Sequence, residues 1–266
     1  MLNDLTTELL QTRGQGMTLP SDAYDLSLEQ SYEVAHQLYR KQREQGKTLA
    51  GRKIGISNRA AWNSLGLDDV VWGYVFGESV VWAENNHAAL PLAGMSAPKL
   101  EPEIVFGLKD SLPTGTRDPA ELLQAVEWLA LGFEVVQNPY PDWRFKPADL
   151  VATFGFHGAL VVGSKVKLEG QSLSRLAATL AETQVSLYKD GEVIEDGGGK
   201  NVVDSPAAAL GHLADLIVGD AKAEALGTNE LVTTGTLTAA PSIAAGESYR
   251  VTVTGLELPD LTLELT

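Results

Sequence analysis

The 266-residue chain contains no cysteine. That removes disulfides, thiolate metal sites and cysteine nucleophiles at once. Positive charge is scarce: 20 Lys and Arg stand against 35 Asp and Glu, a formal net charge of −15. Nucleic acids and anionic membrane surfaces both need a basic face, so neither is an expected partner. The four histidines, His36, His87, His157 and His212, are scattered and lack the spacing of zinc ligands. There is no run of about 18 uncharged apolar residues, and the opening stretch MLNDLTTELLQTRGQG has early acidic residues and no apolar signal-peptide core. A cytoplasmic protein is the expectation. The nucleotide and hydrolase signatures are missing too. Gly46-Lys47-Thr48 has no upstream glycine, Gly197-Gly198-Gly199-Lys200 has no following Ser or Thr, and neither GxSxG nor HExxH occurs.

Hydrophobic residues make up 44% and charged residues 21%, the balance of a globular chain with a sizeable core. Residues 1–50 read as a helical N-terminal segment. Ser27 and Gln30 form a capping-box pattern, Leu28, Tyr32, Ala35 and Leu38/Tyr39 follow at helical spacing, and Gly46 is a natural stop. From residue 51 to 266 the texture is β-rich: KIGIS, VVWGYVF, SVVWAE, EIVFGL, WLALGFEVV and HGALVVGSKV are strand-like. QVSLYKDGEVIED reads as a hairpin turning at Asp190-Gly191, and the alternating tail turns near Pro259-Asp260. Asp118-Pro119-Ala120-Glu121 and Ser205-Pro206 open two helices, the second with Leu210, Leu213 and Ile217 on one face. Strands and helices do not alternate regularly, so an α+β fold is expected rather than a doubly wound parallel sheet, as one domain overall.

Three features carry chemistry. Glu101 and Glu103 lie two apart at the start of an apolar strand, so both carboxylates point to one face. Like charges side by side repel unless a cation or a proton intervenes; the pair fits either a solvated strand edge or a cation site. Glu134 sits in Leu129–Val136, a run with no other charge. A carboxylate there needs water at a strand end, a structural cation or a metal ion. Lys53 lies in Gly51-Arg-Lys-Ile-Gly55, flanked by glycines that permit close approach. It is either an exposed lysine or a general acid/base whose pKa desolvation lowers. Three carboxylates without Cys or His are a hard-oxygen set suited to Mg²⁺ or Mn²⁺, and such an ion would give an acidic protein local positive potential for an anionic substrate.

Taken in order, these residues resemble the 2-keto-4-pentenoate hydratase / 2-oxo-hex-3-enedioate decarboxylase family of the fumarylacetoacetate hydrolase superfamily, over almost the full length. Residues 23–57 resemble the family's N-terminal helix and G-x-K-x-G strand, Glu101-Pro-Glu103-Ile-Val-Phe its E-x-E-I-x-F metal strand, and Glu134 its third metal ligand. Asp149-Leu-Val-Ala152 resembles the start of a D-x-V-A-D-N segment, although Thr153-Phe154 stands where Asp-Asn is usual. Val232-Thr-Thr-Gly-Thr236 resembles a loop that helps hold the substrate carboxylate, which makes Thr234, Gly235 and Thr236 candidate substrate contacts. The resemblance implies a mixed β-roll core, Mg²⁺ or Mn²⁺ held by Glu101, Glu103 and Glu134, a small anionic 2-oxo or 2-hydroxydienoate substrate from aromatic meta-cleavage, and a homo-oligomer. Lys53 is then a proton shuttle. His157 is a candidate catalytic group or a packed core histidine. Arg144, in the loop Asn138–Arg144, is a candidate contact for a distal carboxylate. The implied reaction is hydration of a 2-hydroxy-2,4-dienoate to a 4-hydroxy-2-oxo acid. The alternatives are decarboxylation of 2-oxo-hex-3-enedioate, which needs a second cation such as Arg52 or Arg144, acylpyruvate C–C hydrolysis, for which Glu33 with His36 is the nearest pair, and a metal-free relative that kept only the fold.

Overall fold

The computed structural model describes residues 2–12, 15–19 and 24–266. Met1, Arg13 and Gly14 of the opening stretch, and Ala23 at the head of the family-like stretch, lie outside the described residues. Two helices come first, α1 (Leu2–Thr12) and α2 (Leu28–Glu44). The capping box of α2 is formed as expected: Gln30 N donates to Ser27 Oγ, and Ser27 N donates to the Gln30 side chain. Gly46, at φ 86°, closes the helix by donating to the Arg43 carbonyl.

The body follows. It runs β1 (Leu49–Gly55), α3 (Arg59–Leu65), β2 (Val71–Phe76), β3 (Val80–Trp82), β4 (His87–Leu90) and β5 (Lys99–Leu108). Next come α4 (Pro119–Leu122), β6 (Val126–Val136), α5 (Pro147–Ala152), β7 (His157–Val162), β8 (Val166–Lys167) and α6 (Leu173–Glu182). The chain ends with β9 (Gln184–Lys189), β10 (Glu192–Gly198), α7 (Pro206–Gly219), β11 (Leu231–Thr233), β12 (Ser248–Thr254) and β13 (Leu261–Leu265). One sheet is ordered β2-β1-β11-β5-β6-β7-β3 with β8 added on β6; the other is β10-β9-β12-β13-β4. Parallel and antiparallel pairs are mixed, with β1 parallel to β11 and β5 antiparallel to β6. This is the α+β fold with curled sheets that the sequence leads one to expect.

Several elements differ from their sequence signals. HGALVVGSKV is two strands, because the chain turns at Gly163, whose amide bonds back to Leu131. The Asp118-Pro119 helix is a single turn, since the buried β6 run takes over at Val126. Helices α3, α5 and α6 carry weaker sequence signals. The Asp190-Gly191 turn forms with both residues at positive φ (51° and 91°), as a two-residue hairpin between Lys189 and Glu192 requires. Residues Gly199–Gly219 have the length and hydropathy of a membrane span, yet 67% of that window is buried and α7 is a core helix.

The register of the large sheet places the site. Residues directly opposite across a ladder share a face. Lys53 pairs with Thr233, Thr233 with Val105, and Glu101 with Glu134. With the period of two along β5, Lys53, Thr233, Glu101, Glu103 and Glu134 all project from one face. The same face carries the small apolar cluster of Val75, Val105, Trp128, Ala130, Leu160 and Val162. It is crowded: a Cβ on Gly51 would lie 1.9 Å from the Leu231 carbonyl oxygen. On the opposite face of β1, Arg52 is fully buried, paired with Glu230 at 2.8 Å and lying over the Tyr74 ring, which stacks on Tyr39 of α2.

Candidate metal centre and active site

Glu101, Glu103 and Glu134 each offer a carboxylate oxygen to a common point, with these atoms within 4.8 Å of one another. Glu103 and Glu134 are fully buried, and Glu101 is half-buried on the wall of a cavity of about 450 Å³. Two strands suffice to build the triad, because the β5–β6 register sets Glu101 opposite Glu134 and Glu103 opposite Gly132, which has no side chain to intrude.

Each buried carboxylate is held from behind. Thr233 Oγ1 donates to Glu103 Oε2, which also accepts the Gly235 amide at 2.8 Å. Gly235 is at φ 105°, and a Cβ there would meet Ser57 Oγ at 2.1 Å, so this loop position demands glycine. Glu134 Oε1 accepts from His157 Nδ1 at 2.7 Å, and its Oε2 faces Lys53 Nζ at 3.0 Å. Lys53 Nζ also donates to the Gly155 carbonyl at 2.8 Å. Among the described residues Glu103 Oε1 has no hydrogen-bond partner.

The electrostatics follow from three carboxylates sharing one ammonium. Burial, opposed by Lys53 and reinforced by the charge on Glu134, pushes the Glu101 carboxyl up to about 7. Burial and the charges of Glu134 and Glu101 push Glu103 well above the usual carboxylate range. Burial acts against ionised Glu134 as well, but Lys53 and His157 hold it below its ordinary value. Lys53 departs from the sequence expectation. Burial pulls its pKa down, yet the charges of Glu134, Glu101 and Glu103 outweigh burial and the net shift is upward. Lys53 is therefore held as the ammonium.

These residues fit a hard divalent cation. The donor set is all oxygen, and among the described residues Glu103 Oε1 has no hydrogen-bond partner while Glu134 Oε2 has only the ion pair with Lys53; a cation seated among the three would meet both.

The other sequence candidates scatter. Gly235 and Thr236 line the cavity. Thr234 does not; it is fully buried and its hydroxyl donates to the Ile104 carbonyl at 3.0 Å. His157 is 1% exposed and off the lining of this cavity; its Nδ1 bonds Glu134 and its Nε2 lies 2.8 Å from Ser79 Oγ. Arg144 is exposed and off the cavity wall, while its neighbours Trp143 and Phe145 are on it. Arg52 is on the far side of its strand. Glu33 and His36 lie off this cavity and bond other partners: His36 bonds Tyr74 and Asp220, and Glu33 bonds Lys222. Thr233 is the site residue that the sequence reading missed. It lies inside the Val232–Thr236 stretch, but its place directly opposite Lys53 comes from the β1–β11 register.

Residues 64–261 match the family described as fumarylacetoacetate (FAA) hydrolase, C-terminal. The chain belongs to the fumarylacetoacetate hydrolase C-terminal family. Within it, the chain is 29% identical over 221 residues to 2-hydroxypent-2,4-dienoate hydratase of Pseudomonas putida, spanning 82% of this chain and 96% of that one. It is 31% identical over 223 residues to 4-oxalocrotonate decarboxylase of Pseudomonas sp, spanning 84% and 80%. The fold matches 4-oxalocrotonate decarboxylase from Pseudomonas putida G7, solved with magnesium and adipate, at a TM-score of 0.88 and 21% identity over 100% of this chain and 97% of that one.

Proposed function

We propose that this member of the fumarylacetoacetate hydrolase family is a divalent-metal-dependent lyase that adds water to a 2-hydroxy-2,4-dienoate, giving a 4-hydroxy-2-oxo acid. The observation that carries the reading is the convergence of Glu101, Glu103 and Glu134 beside Lys53, with Glu101 and Lys53 on the wall of the cavity. Relatives that are hydratases of such acids support it.

Glu101, Glu103 and Glu134 would hold Mg²⁺ or Mn²⁺. The bound ion supplies Lewis acidity toward the carboxylate and C2 oxygen of a 2-oxo acid. The protein contributes preorganisation: Thr233, the Gly235 amide and His157 fix two of the three ligands in advance. Lys53, protonated and pinned by Gly155, moves a proton between the C2 oxygen and C5 as the dienol becomes the conjugated ketone. Water then adds, its hydroxyl to C4 and its proton to C3.

Decarboxylation of a dicarboxylate remains the second reading, because one group of relatives carries that activity. It needs a cation to meet the far carboxylate, and neither Arg52 nor Arg144 lines the cavity. The deciding experiment gives chelator-treated protein Mg²⁺ or Mn²⁺ and follows loss of dienoate absorbance. Metal-dependent formation of a 4-hydroxy-2-oxo acid is the expected result; CO₂ release from a dicarboxylate with no hydration would overturn it.

A further inference from the structure

The cavity beside the metal cluster has a wall that the hydration chemistry does not use. Trp143, Phe145 and Phe156 form it, with Leu150, Ala61 and Leu65. The rings pack edge to face: Phe145 on Phe156 with centroids 4.9 Å apart, Trp143 on Phe156 at 5.8 Å. An edge-to-face cluster presents a rigid apolar surface, and Phe156 is 2% exposed.

Two further observations show that this wall is built. First, Ile56, Trp143 and Phe156 all line it, and all three are non-glycine residues at positive φ (53°, 54° and 60°). Each such residue costs on the order of 1–3 kcal/mol of backbone strain, which persists only where the surroundings impose it. Secondly, positive charge is kept out. Among the described residues Lys53 is the one Lys or Arg on the lining, and it is engaged with Glu134 and Gly155. Lys99 lies against the Trp143 ring, and Arg59 lies over Trp62 and pairs with Asp204; neither is on the lining. The volume, about 450 Å³, is in the range that encloses drug-sized ligands and exceeds what a five-carbon acid fills.

We infer that the substrate carries an uncharged apolar tail at the end remote from its 2-oxo-acid head, an alkyl or aryl substituent seated on the Trp143–Phe145–Phe156 wall. This deepens the proposed function and rests on it for the position of the head group. The tail gains free energy by leaving water, and a terminal carboxylate would enter the same space with no cation to meet it.

The test uses the full chain loaded with Mn²⁺ and unreactive saturated 2-oxo acids of increasing length, from 2-oxopentanoate to 2-oxooctanoate, with 2-oxoadipate as the charged-tail probe. Binding is read by titration calorimetry. Affinity is expected to rise about fourfold per added methylene, the factor that burial of one CH₂ yields, with 2-oxoadipate weaker than the uncharged acid of the same length. Phe145→Leu checks folding, and Phe145→Ala should flatten the dependence on length. A flat length series, or tighter binding of 2-oxoadipate, overturns the inference. Hydration of dienoates is scored separately. A flat series in a protein that hydrates dienoates removes the tail site and leaves the reaction, whereas a rising series without hydration keeps the tail site and removes the reaction.

Discussion

Lys53 Nζ stands 3.0 Å from Glu134 Oε2, and the two side chains are 3% and 0% exposed. A buried ion pair is a poor source of net stability, yet breaking it by removing one partner is expensive, because the other charge is left behind. Glu101 and Glu103 face the same ammonium, so its loss removes a counter-charge from all three carboxylates. Lys53→Met is therefore expected to destabilise the metal-free protein by about 3–5 kcal/mol. Saturating Mg²⁺ should recover more stability in this variant than in the wild type. Unfolding curves with and without Mg²⁺ measure both quantities; a variant as stable as the wild type in chelator contradicts the pairing.

The raised carboxyl of Glu101 gives the metal effect a pH dependence. With a folded-state value of about 7 against an ordinary 4.5, the metal-free folded chain keeps a proton that the unfolded chain has released. Over that window the metal-free protein gains stability as pH falls and loses it as pH rises towards 7. Glu134, held below its ordinary value, works in the opposite sense, but at pH below that window. A divalent ion must displace the Glu101 proton, so the rise in Tm produced by saturating Mg²⁺ is expected to be greater at about pH 8 than at about pH 6. A metal-induced shift of equal size at both values would count against the triad as ligands.

His157 tests positioning apart from catalysis. It bridges Glu134 Oε1 and Ser79 Oγ and does not reach the cavity. His157→Gln is expected to weaken Mn²⁺ binding by about 10–100-fold, as loss of a residue supporting a metal ligand does, while kcat at saturating metal stays near wild type. Unchanged metal affinity combined with a large loss of kcat would return His157 to the chemistry.

The β1–β11 ladder holds Lys53 opposite Thr233, and it depends on Gly51. A methyl there would press on the Leu231 backbone, which cannot swing aside. Gly51→Ala is expected to cost about 3 kcal/mol or more and to weaken metal binding with it. Gly219→Ala, at the end of α7 with no atom within 4 Å of the new methyl, is the matched control and should be neutral or slightly stabilising. Denaturant midpoints compare the two.

Much of this site is legible in the primary chain, because period-two alternation puts Glu101 and Glu103 on one face, and an otherwise uncharged run makes Glu134 conspicuous. What pairs across the sheet is not written locally. Thr233 and Lys53 are far apart in sequence, and only the parallel β1–β11 register brings them together. Thr234 is a candidate by position, but it follows Thr233 at the end of β11 and its hydroxyl turns away to the Ile104 carbonyl. Arg144 lies off the cavity lining while its neighbours Trp143 and Phe145 are on it, a placement that the loop conformation sets and the sequence pattern does not show. Lys53 lay in the expected place with its pKa moved the other way, because the number of carboxylates around it is a tertiary fact.

The account depends on three glutamates holding one ion. Titration of chelator-treated protein with Mn²⁺, with free ion followed by its paramagnetic resonance signal, measures this directly. The account predicts one tight site per chain in the wild type and its loss in Glu103→Gln, a variant that keeps the size and neutral hydrogen bonding of the side chain. Wild-type stoichiometry and affinity in Glu103→Gln, Glu101→Gln and Glu134→Gln alike would contradict it.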